Sequence, residues 1–406
     1  MELKPKYQYT YFIKPFIIKG SYTTFLRRML ENENLRLKTW EKEADADVYS
    51  YFLPNIRSKM FFGFDYSRTE VEELRKKNTQ KKLRKLSKYP CLQFNYILNE
   101  NASGKIGMKD GIFFDIGKIN IVCFNSGLCF IIIKTYLEDI QEFSNILNFN
   151  YKFRELMSEE YKLKKFEKIN IQTSNFSSIF SLKTLILNIT GKYENTLIED
   201  DKFYVYSYTC IDGENWNDKI TFEDIKIEYW KYANVCPSGY NVDINLKNQI
   251  QPISNWQYAR FGFNKNACVL FTSSLNPYNY TKLPHEFENQ YLYTYLIALY
   301  QKLYFKKLTK EFKTGKRVLK TRYNLNSFIK YFWHKEITKD EIGSSFYGRW
   351  LQIYETENLY LETMNMYDLA LKENKRKKTD YSLKIIVILL LLCVILNIAE
   401  LIQVLH

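Results

Sequence analysis

Four polar residues recur at helical spacing within the apolar C-terminal segment of this chain. They are Cys393, Asn397, Glu400 and Gln403, separated by steps of four, three and three residues. A helix places residues at such steps near one face. Ionisable residues inside a membrane span usually face a bundle interior or water. The stripe therefore predicts a pore lining or an oligomer seam. The alternative interpretation is that Glu400 lies at the outer interface, where the helix ends.

A second candidate site combines aromatic and basic residues in SNWQYARFGFNKNACVLFTSS, residues 254–274. Trp256, Arg260 and Lys265 would place an aromatic platform beside two cations, a combination that suits a base or a nucleotide-type ligand. The alternative interpretation is an amphipathic strand or loop that covers a core. Arg260 is the residue to test first for a ligand.

Sequence motifs for catalysis or metal binding are missing from the chain. There is no P-loop, GxGxxG, HExxH or GxSxG pattern. His285 stands before Glu286 and Glu288, but acidic residues at the start of a helix interact favourably with its dipole. The seven cysteines are scattered and form no CxxC pair, as is typical of reduced thiols in a cytosolic protein. The sequence therefore predicts a protein that is not an enzyme and that has no cofactor and no metal site.

The helix that carries the polar stripe is predicted over residues 383–405, LKIIVILLLLCVILNIAELIQVL. At ~1.5 Å per residue this segment reaches the roughly 30 Å of a hydrocarbon core. Residues 372–380, KENKRKKTD, carry five positive charges, and basic residues beside a span stay on the cytosolic side. The N-terminus has no apolar segment of the signal-peptide type. These patterns predict a single-pass membrane protein whose N-terminal domain is cytosolic.

The formal net charge of the chain is +14. A basic surface can lie against anionic lipid headgroups, with about 1 kcal/mol for each well-placed Lys or Arg. It can also attract nucleic acid or a phosphorylated small molecule. Because the chain carries a predicted membrane anchor, membrane lipids are the first expected partner. A nucleotide-type ligand is the second, and duplex nucleic acid is not expected.

The remaining patterns predict an α/β (α+β) cytosolic domain, followed by a long helical stalk and a single C-terminal transmembrane helix. Apolar runs rich in branched and aromatic residues predict strands at 7–18, 111–137, 202–211 and 267–274. Gly117 and a turn at residues 125–127 divide the second of these runs. The predicted domains are an N-terminal α/β domain at 1–167, a mixed β-rich region at 168–284 that can be continuous with it, a helical bundle and stalk at 285–382, and the transmembrane helix at 383–405.

The stalk is predicted to be one helix from about residue 349 to residue 405, ~85 Å long by helix rise. Its heptad spacing favours a coiled coil, and therefore a homo-oligomer. The predicted seam positions are Trp350, Ile353, Glu357, Tyr360, Met364, Tyr367, Leu371, Asn374, Lys378, Tyr381, Ile385 and Ile388.

The strand signal at 111–137 and the helix that runs from Trp350 into Ile385 resemble the layout of the CorA-type divalent-cation channel superfamily. That family has a cytosolic α/β domain and a very long stalk helix that continues into the membrane. Its Gly-Met-Asn signature is missing here, where the span ends in LIQVLH, and so is its second membrane helix. No site residue is carried over.

The resemblance implies a homo-oligomeric membrane effector or channel-like protein with a cytosolic sensing domain. Divergent members of that superfamily act in prokaryotic antiviral defence, which is the setting it implies here. The alternative expectation is a tail-anchored scaffold or adaptor, whose cytosolic domain binds a partner and whose span is only an anchor.

Overall fold

The computed structural model describes residues 2–67, 69–70, 72, 79–98, 102–107, 111–138, 142–157, 167–173, 176–191, 193–194, 202–243, 256–315 and 318–405. Of residues 79, 167–173, 176–180, 193–194 and 399–405 it describes the backbone only. The chain forms two compact units. Unit 1 is Met1–Tyr300 with His334–Tyr354, and unit 2 is Gln301–Trp333 with Glu355–His406. This division differs from the predicted domain ranges.

Within the described residues, twelve strands make up one sheet in unit 1. They are β1 (Pro5–Ile18), β2 (Leu35–Leu37), β3 (Cys91–Tyr96), β4 (Ala102–Ile106), β5 (Ile112–Phe124), β6 (Leu128–Leu137), β7 (Glu167–Thr173), β8 (Phe176–Phe180), β9 (Tyr193–Glu194), β10 (Tyr204–Ile211), β11 (Ala259–Asn264) and β12 (Ala267–Ser273).

The main path of the sheet runs β11-β12-β10-β1-β6-β5-β4-β7-β8, and β3 joins β2 to β5. The pairing of β10 with β12 is parallel, whereas β1 pairs antiparallel with both β10 and β6. The long, apolar β1 therefore lies at the centre. Because β10 to β12 pair with it, the β-rich region predicted at 168–284 continues the first sheet.

The helices of the described residues alternate with these strands and then follow them. They are α1 (Tyr22–Glu31), α2 (Ala46–Tyr51), α3 (Pro54–Met60), α4 (Thr79–Leu86), α5 (Phe143–Glu155), α6 (Leu182–Thr190), α7 (Phe222–Ala233), α8 (Tyr278–Thr281), α9 (Leu283–Glu286), a π-helical turn (Phe287–Tyr291), α10 (Leu292–Lys313), α11 (Val318–Phe332), α12 (Glu341–Ile353) and α13 (Thr356–Leu405).

The two faces of the sheet are covered by different aromatic clusters. On one face, Phe12 of β1 stacks on Phe153 of α5 with ring centroids 3.8 Å apart. On the opposite face, Tyr206 of β10 stacks on Phe287 of the π-helical turn at 4.1 Å. Burying an aromatic side chain of this size contributes about 1.5–3 kcal/mol. Since strand side chains alternate between faces, each long strand serves both clusters, and polar residues can face one side without disturbing the other.

The run predicted at 111–137 forms a hairpin of β5 and β6, with Gly127 at a φ of 83° in the turn. Gly117 does not end a strand. It lies at a bulge between Ile116 and Lys118, and β5 continues through it. A Cβ atom at Gly117 would lie 2.4 Å from the ring of Tyr136. Glycine is therefore needed for close packing at this bulge.

The predicted single helix over 349–405 is wrong, because the chain turns at residues 354–355. α12 ends at Ile353 and α13 begins at Thr356. Between them, Glu355 has a φ of 50°, a left-handed conformation that interrupts an α-helix. Tyr354 is buried, with its ring 5.0 Å from that of Trp350. The packing of this tyrosine into unit 1 accompanies the turn.

Within unit 2, the first turns of α13 pack on helices of the same chain. Tyr360 stacks on Trp333 at 5.0 Å, and Tyr367 lies 5.4 Å from Phe312 of α10. The buried hydroxyl groups of Thr309 and Thr363 are 2.8 Å apart. Two residues of the predicted oligomer seam, Tyr360 and Tyr367, are therefore occupied by intrachain contacts.

The last part of α13 has no packing partner among the described residues. Its apolar side chains from Leu383 to Ile398 are 43–64% exposed, and the helix is long and apolar enough to cross a membrane. The predicted fold class is confirmed: a mixed α/β sheet domain is followed by a long C-terminal helix of this kind.

Candidate functional site

The predicted aromatic platform lies at the start of β11, where Arg260 is half-buried. Its guanidinium lies over the rings of Trp216, at 5.5 Å, and Phe222, at 5.1 Å. Its Nη1 donates to the backbone oxygens of Trp256, at 2.7 Å, and Ala259, at 2.8 Å. Burial lowers the pKa of Arg260. The cation of Arg260 is thus engaged with groups of its own surroundings.

The other two residues of the platform point to different places. The ring of Trp256 lies 5.7 Å from Phe261. Lys265 is exposed in the turn between β11 and β12, five residues beyond Arg260, or ~16 Å along an extended strand. The structure therefore brings Trp256 and Arg260 together and leaves Lys265 apart from them. Whether they bind a ligand stays a prediction.

The polar stripe of the C-terminal helix is described for its first two members. Cys393 and Asn397 are exposed and one helical turn apart on α13. The helix continues through Glu400 and Gln403, whose side chains lie outside the described residues. The stripe as a seam or pore lining stays a prediction.

A site that the sequence patterns did not indicate is formed by Lys38, Lys118 and Lys134, which we call the lysine cluster. Lys118 of β5 and Lys134 of β6 are direct cross-strand partners. Lys38 follows β2, and its backbone N–H donates to the Gln93 oxygen of β3 at 2.8 Å. Side chains along β5 alternate between the two faces of the sheet. Ile119 belongs to the hydrophobic core on one face, so that Lys118 lies on the other. All three lysines thus belong to the face that carries the π-helical turn.

Glu288 of that turn is the carboxylate of the lysine cluster. Its Oε2 lies 2.5 Å from Lys134 Nζ, and its Oε1 accepts a hydrogen bond from the hydroxyl of Tyr11. Burial raises the pKa of Glu288, but the charges of Lys134 and Lys118 and these hydrogen bonds outweigh it, so that the pKa is lowered. Burial likewise opposes protonation of Lys134, and Glu288 reverses it, leaving the Lys134 pKa raised. This carboxylate lies on a π-helical turn. Such turns are rare in proteins, and those that occur are often at functional sites.

Lys38 and Lys118 have no ion-pair partner within the part of the chain that the structure describes. Lys38 Nζ lies 3.2 Å from the ring centroid of Trp40. Burial, and then the charge of Lys118, lower the pKa of Lys38 to about 7, against the weaker opposing effects of Asp45 and Glu288. Burial also lowers the pKa of Lys118. The two amines are therefore close enough to repel each other in a poorly solvated place.

Two asparagines lie beside the lysines on the same face of the sheet. Asn95 of β3 and Asn120 of β5 are cross-strand partners, and Asn120 is 8% exposed. Neither side-chain oxygen has a hydrogen-bond partner among the described residues. The neighbouring Gln93 differs, because it accepts from the hydroxyl of Tyr293 at 3.0 Å. Buried amides without partners are uncommon in folded proteins and call for an explanation.

A cavity of about 1140 Å³ lies beside Trp40. Its charged lining residues are Glu41, Lys42, Glu43, Asp65 and Glu72. In the described ranges, no group of three His, Cys, Asp or Glu side chains is arranged to hold a metal ion. Trp40 is thus shared by this cavity and the lysine cluster.

The lysine cluster could not be recognised from the sequence. Lys118 and Lys134 occur in alternating strands where a lysine usually faces water, and Lys38 lies in a short connection. One signal was available in the sequence: Lys118 and Lys134 are equally distant from the hairpin turn and therefore lie opposite each other. Like charges directly opposite each other are destabilising, so that such a pair indicates a nearby anionic group.

Comparison of the chain with protein-family models, with curated proteins and with solved structures gives no match. No family is therefore assigned to the chain.

Proposed function

We propose that this chain is a tail-anchored membrane protein whose N-terminal unit recognises a ligand or partner at the membrane surface. One observation carries the proposal: the apolar side chains from Leu383 to Ile398 are 43–64% exposed. Leaving each such side chain in water forgoes about 1.5–3 kcal/mol of burial. A bilayer removes this cost along the whole segment, and the length of the helix suits it.

The orientation is proposed from the charges that precede the apolar segment. The five positive charges within residues 372–380 lie on exposed turns of α13. Positive residues of this kind remain on the cytosolic side and are attracted to anionic headgroups. Unit 1 would then face the cytosol, with a single pass of the chain through the membrane.

Fractionation of cells that express three forms of the chain tests the anchor. The full chain is expected in the membrane pellet and resistant to carbonate extraction. A form without residues 383–405 is expected in the soluble fraction. A form whose span is replaced by an unrelated apolar helix is the matched control and should return to the pellet. Recovery of the truncated form in the carbonate-resistant pellet would contradict the proposal.

Protease treatment of sealed inside-out vesicles tests the orientation. Protease should digest the N-terminal part, because it lies outside such vesicles. Right-side-out vesicles are the control, in which that part should be protected. Full protection in inside-out vesicles would place the N-terminal part on the opposite side of the membrane.

A second candidate is a homo-oligomeric, channel-like membrane effector, as the CorA-type layout implies. The polar residues Cys393 and Asn397 on an otherwise apolar helix favour it. Against it, Tyr360 and Tyr367 of the predicted seam pack within their own chain. The scaffold or adaptor interpretation needs no seam, and we therefore place it first.

Two substitutions distinguish the candidates. If the stripe lines a seam, Asn397→Leu and Glu400→Leu should change dye leakage or the toxicity of overproduced protein at matched membrane levels. If the span is only an anchor, both variants should behave as the parent chain, as should the lipid-facing control Ile395→Leu. Size measurement in detergent completes the test, since a strict monomer would exclude the channel-like candidate.

A further inference from the structure

We propose that the lysine cluster, with the amides of Asn95 and Asn120, is a binding site for the phosphate group of a small ligand. The inference is independent of the membrane role, because it concerns unit 1 alone. Three observations support it. Lys38 and Lys118 have no ion-pair partner in the described ranges, and the amide oxygens of the cross-strand pair Asn95 and Asn120 have no donor there. The aromatic rings of Trp40 and Tyr293 lie beside Lys38.

The charges of the lysine cluster favour an anionic ligand. Like charges on directly opposite strand positions are destabilising, and Lys118 lies opposite Lys134. Glu288 forms an ion pair with Lys134, which leaves Lys118 and Lys38 without one in the described ranges. A bound dianion between Lys38 and Lys118 would remove their mutual repulsion. Charge-assisted hydrogen bonds from ammonium groups to phosphate are among the stronger polar contacts in proteins.

The two asparagine amides offer further contacts for such a ligand. The Asn120 side chain is 8% exposed, and its oxygen has no partner in the described part of the chain. The oxygen of its cross-strand neighbour Asn95 is likewise without one. A side-chain amide can present its donor or its acceptor after rotation by half a turn. The pair could therefore hold phosphate oxygens, or hydroxyl and amino groups attached to the phosphate.

Lys38 and Lys118 are largely buried, but neither residue is fully enclosed, which leaves a ligand a way into the site. Lys38 lies over the ring of Trp40 and 5.8 Å from the ring centroid of Tyr293. Aromatic faces restrict where the amine can move and exclude water from one side of it. The site is thus open on one side and preorganised on the other.

A titration signature follows from the same geometry. The charged groups that act on Lys38 are Lys118, Asp45 and Glu288, and its pKa is lowered to about 7. An anion beside the amine raises that pKa. Binding at pH 8 should therefore be accompanied by uptake of protons from the buffer, which a purely structural lysine would not produce.

Calorimetric titration of the full chain in detergent with inorganic phosphate and with pyrophosphate tests the site. Saturable binding is expected, with proton uptake at pH 8 measured in buffers of different ionisation enthalpy. Lys118→Gln should weaken binding about ten- to a hundredfold, the loss expected for one charged hydrogen bond. Lys118→Arg keeps the charge and should retain binding.

Two controls keep the result interpretable. Lys19→Gln removes an exposed lysine elsewhere on unit 1 and should bind as the parent chain. Citrate, a tricarboxylate, should bind more weakly than pyrophosphate. Tighter binding of citrate would reassign the site to carboxylates and overturn the phosphate assignment. The proposal as a whole is overturned by the absence of saturable heat up to about 10 mM pyrophosphate, by unchanged affinity in Lys118→Gln, or by an equal loss in Lys19→Gln, which would indicate attraction to the basic surface alone.

Discussion

Replacing Lys38 by methionine should stabilise the protein at pH 6. The pKa of Lys38 falls from 10.5 to about 7 on folding. At about 1.4 kcal/mol for each tenfold change in proton affinity, this fall corresponds to roughly 5 kcal/mol. Residual solvent screening around this mostly buried amine reduces that figure. Losing the contact with Trp40 removes about 1–2 kcal/mol in the opposite direction. We therefore expect a net gain of about 2 kcal/mol for Lys38→Met.

The gain should depend on pH in a defined direction. Below pH 7 the amine is charged in both the folded and the unfolded chain, so that the full cost of burying it is present. Between about pH 7 and 10.4 the unfolded chain binds more protons than the folded chain, and stability rises with pH. The advantage of Lys38→Met should therefore be largest at pH 6 and smaller at pH 9.

Thermal melts of the full chain in detergent at pH 6, 7, 8 and 9 provide the measurement. Because unit 1 comprises Met1–Tyr300 with His334–Tyr354, a gain of about 2 kcal/mol corresponds to a rise in Tm of only ~3 °C. Lys19→Met, at an exposed position, is the matched control and should show no such pH-dependent gain. A loss of stability at pH 6, or an equal gain at pH 6 and pH 9, would refute the reasoning.

Three further substitutions test other parts of the fold. Glu288→Gln should lower the free energy of unfolding by about 2–3 kcal/mol at pH 7 in urea melts, because it breaks a largely buried ion pair. The lowered pKa of Glu288 contributes its full stabilisation above the unfolded value of about 4.3, and this contribution is lost as the pH falls through the lower folded value. Parent and variant should therefore converge at acid pH, and a constant difference would count against the pair. Gly63→Ala should lower the free energy of unfolding by roughly 3 kcal/mol, because φ is 122° and the new Cβ would lie 2.5 Å from the backbone oxygen of Trp40. The control Gly239→Ala places its Cβ in open space and should not change Tm. Equal melting temperatures for the two variants would exclude strain at Gly63. Thr363→Val removes a buried hydroxyl contact of 2.8 Å to α10, and should speed amide exchange in the first turns of α13 by about five- to tenfold; unchanged exchange would show that the contact contributes nothing.

The C-terminal helix and the β5–β6 hairpin could be predicted from the sequence, because both depend on residues that are close together in the chain. The apolar run of α13 is unbroken, so that length and composition alone predict a helix able to span a membrane. The hairpin of β5 and β6 followed from two branched, apolar runs on either side of a Ser-Gly turn. The continuity of the β-rich region with the first sheet was left open, since strand pairing between β1 and β10 joins positions about 200 residues apart.

The lysine cluster and the turn before α13 depended on tertiary structure. Lys38, Lys118, Lys134 and Glu288 come from four separate segments of the chain, and each one alone has the pattern of a solvated residue. Their proximity results from strand register and from the π-helical turn, which no local spacing specifies. In the same way, the three- and four-residue spacing of α13 predicts an apolar seam but not its partner. Packing decided that Tyr360 and Tyr367 meet helices of their own chain, because a covalently attached surface is always at high local concentration.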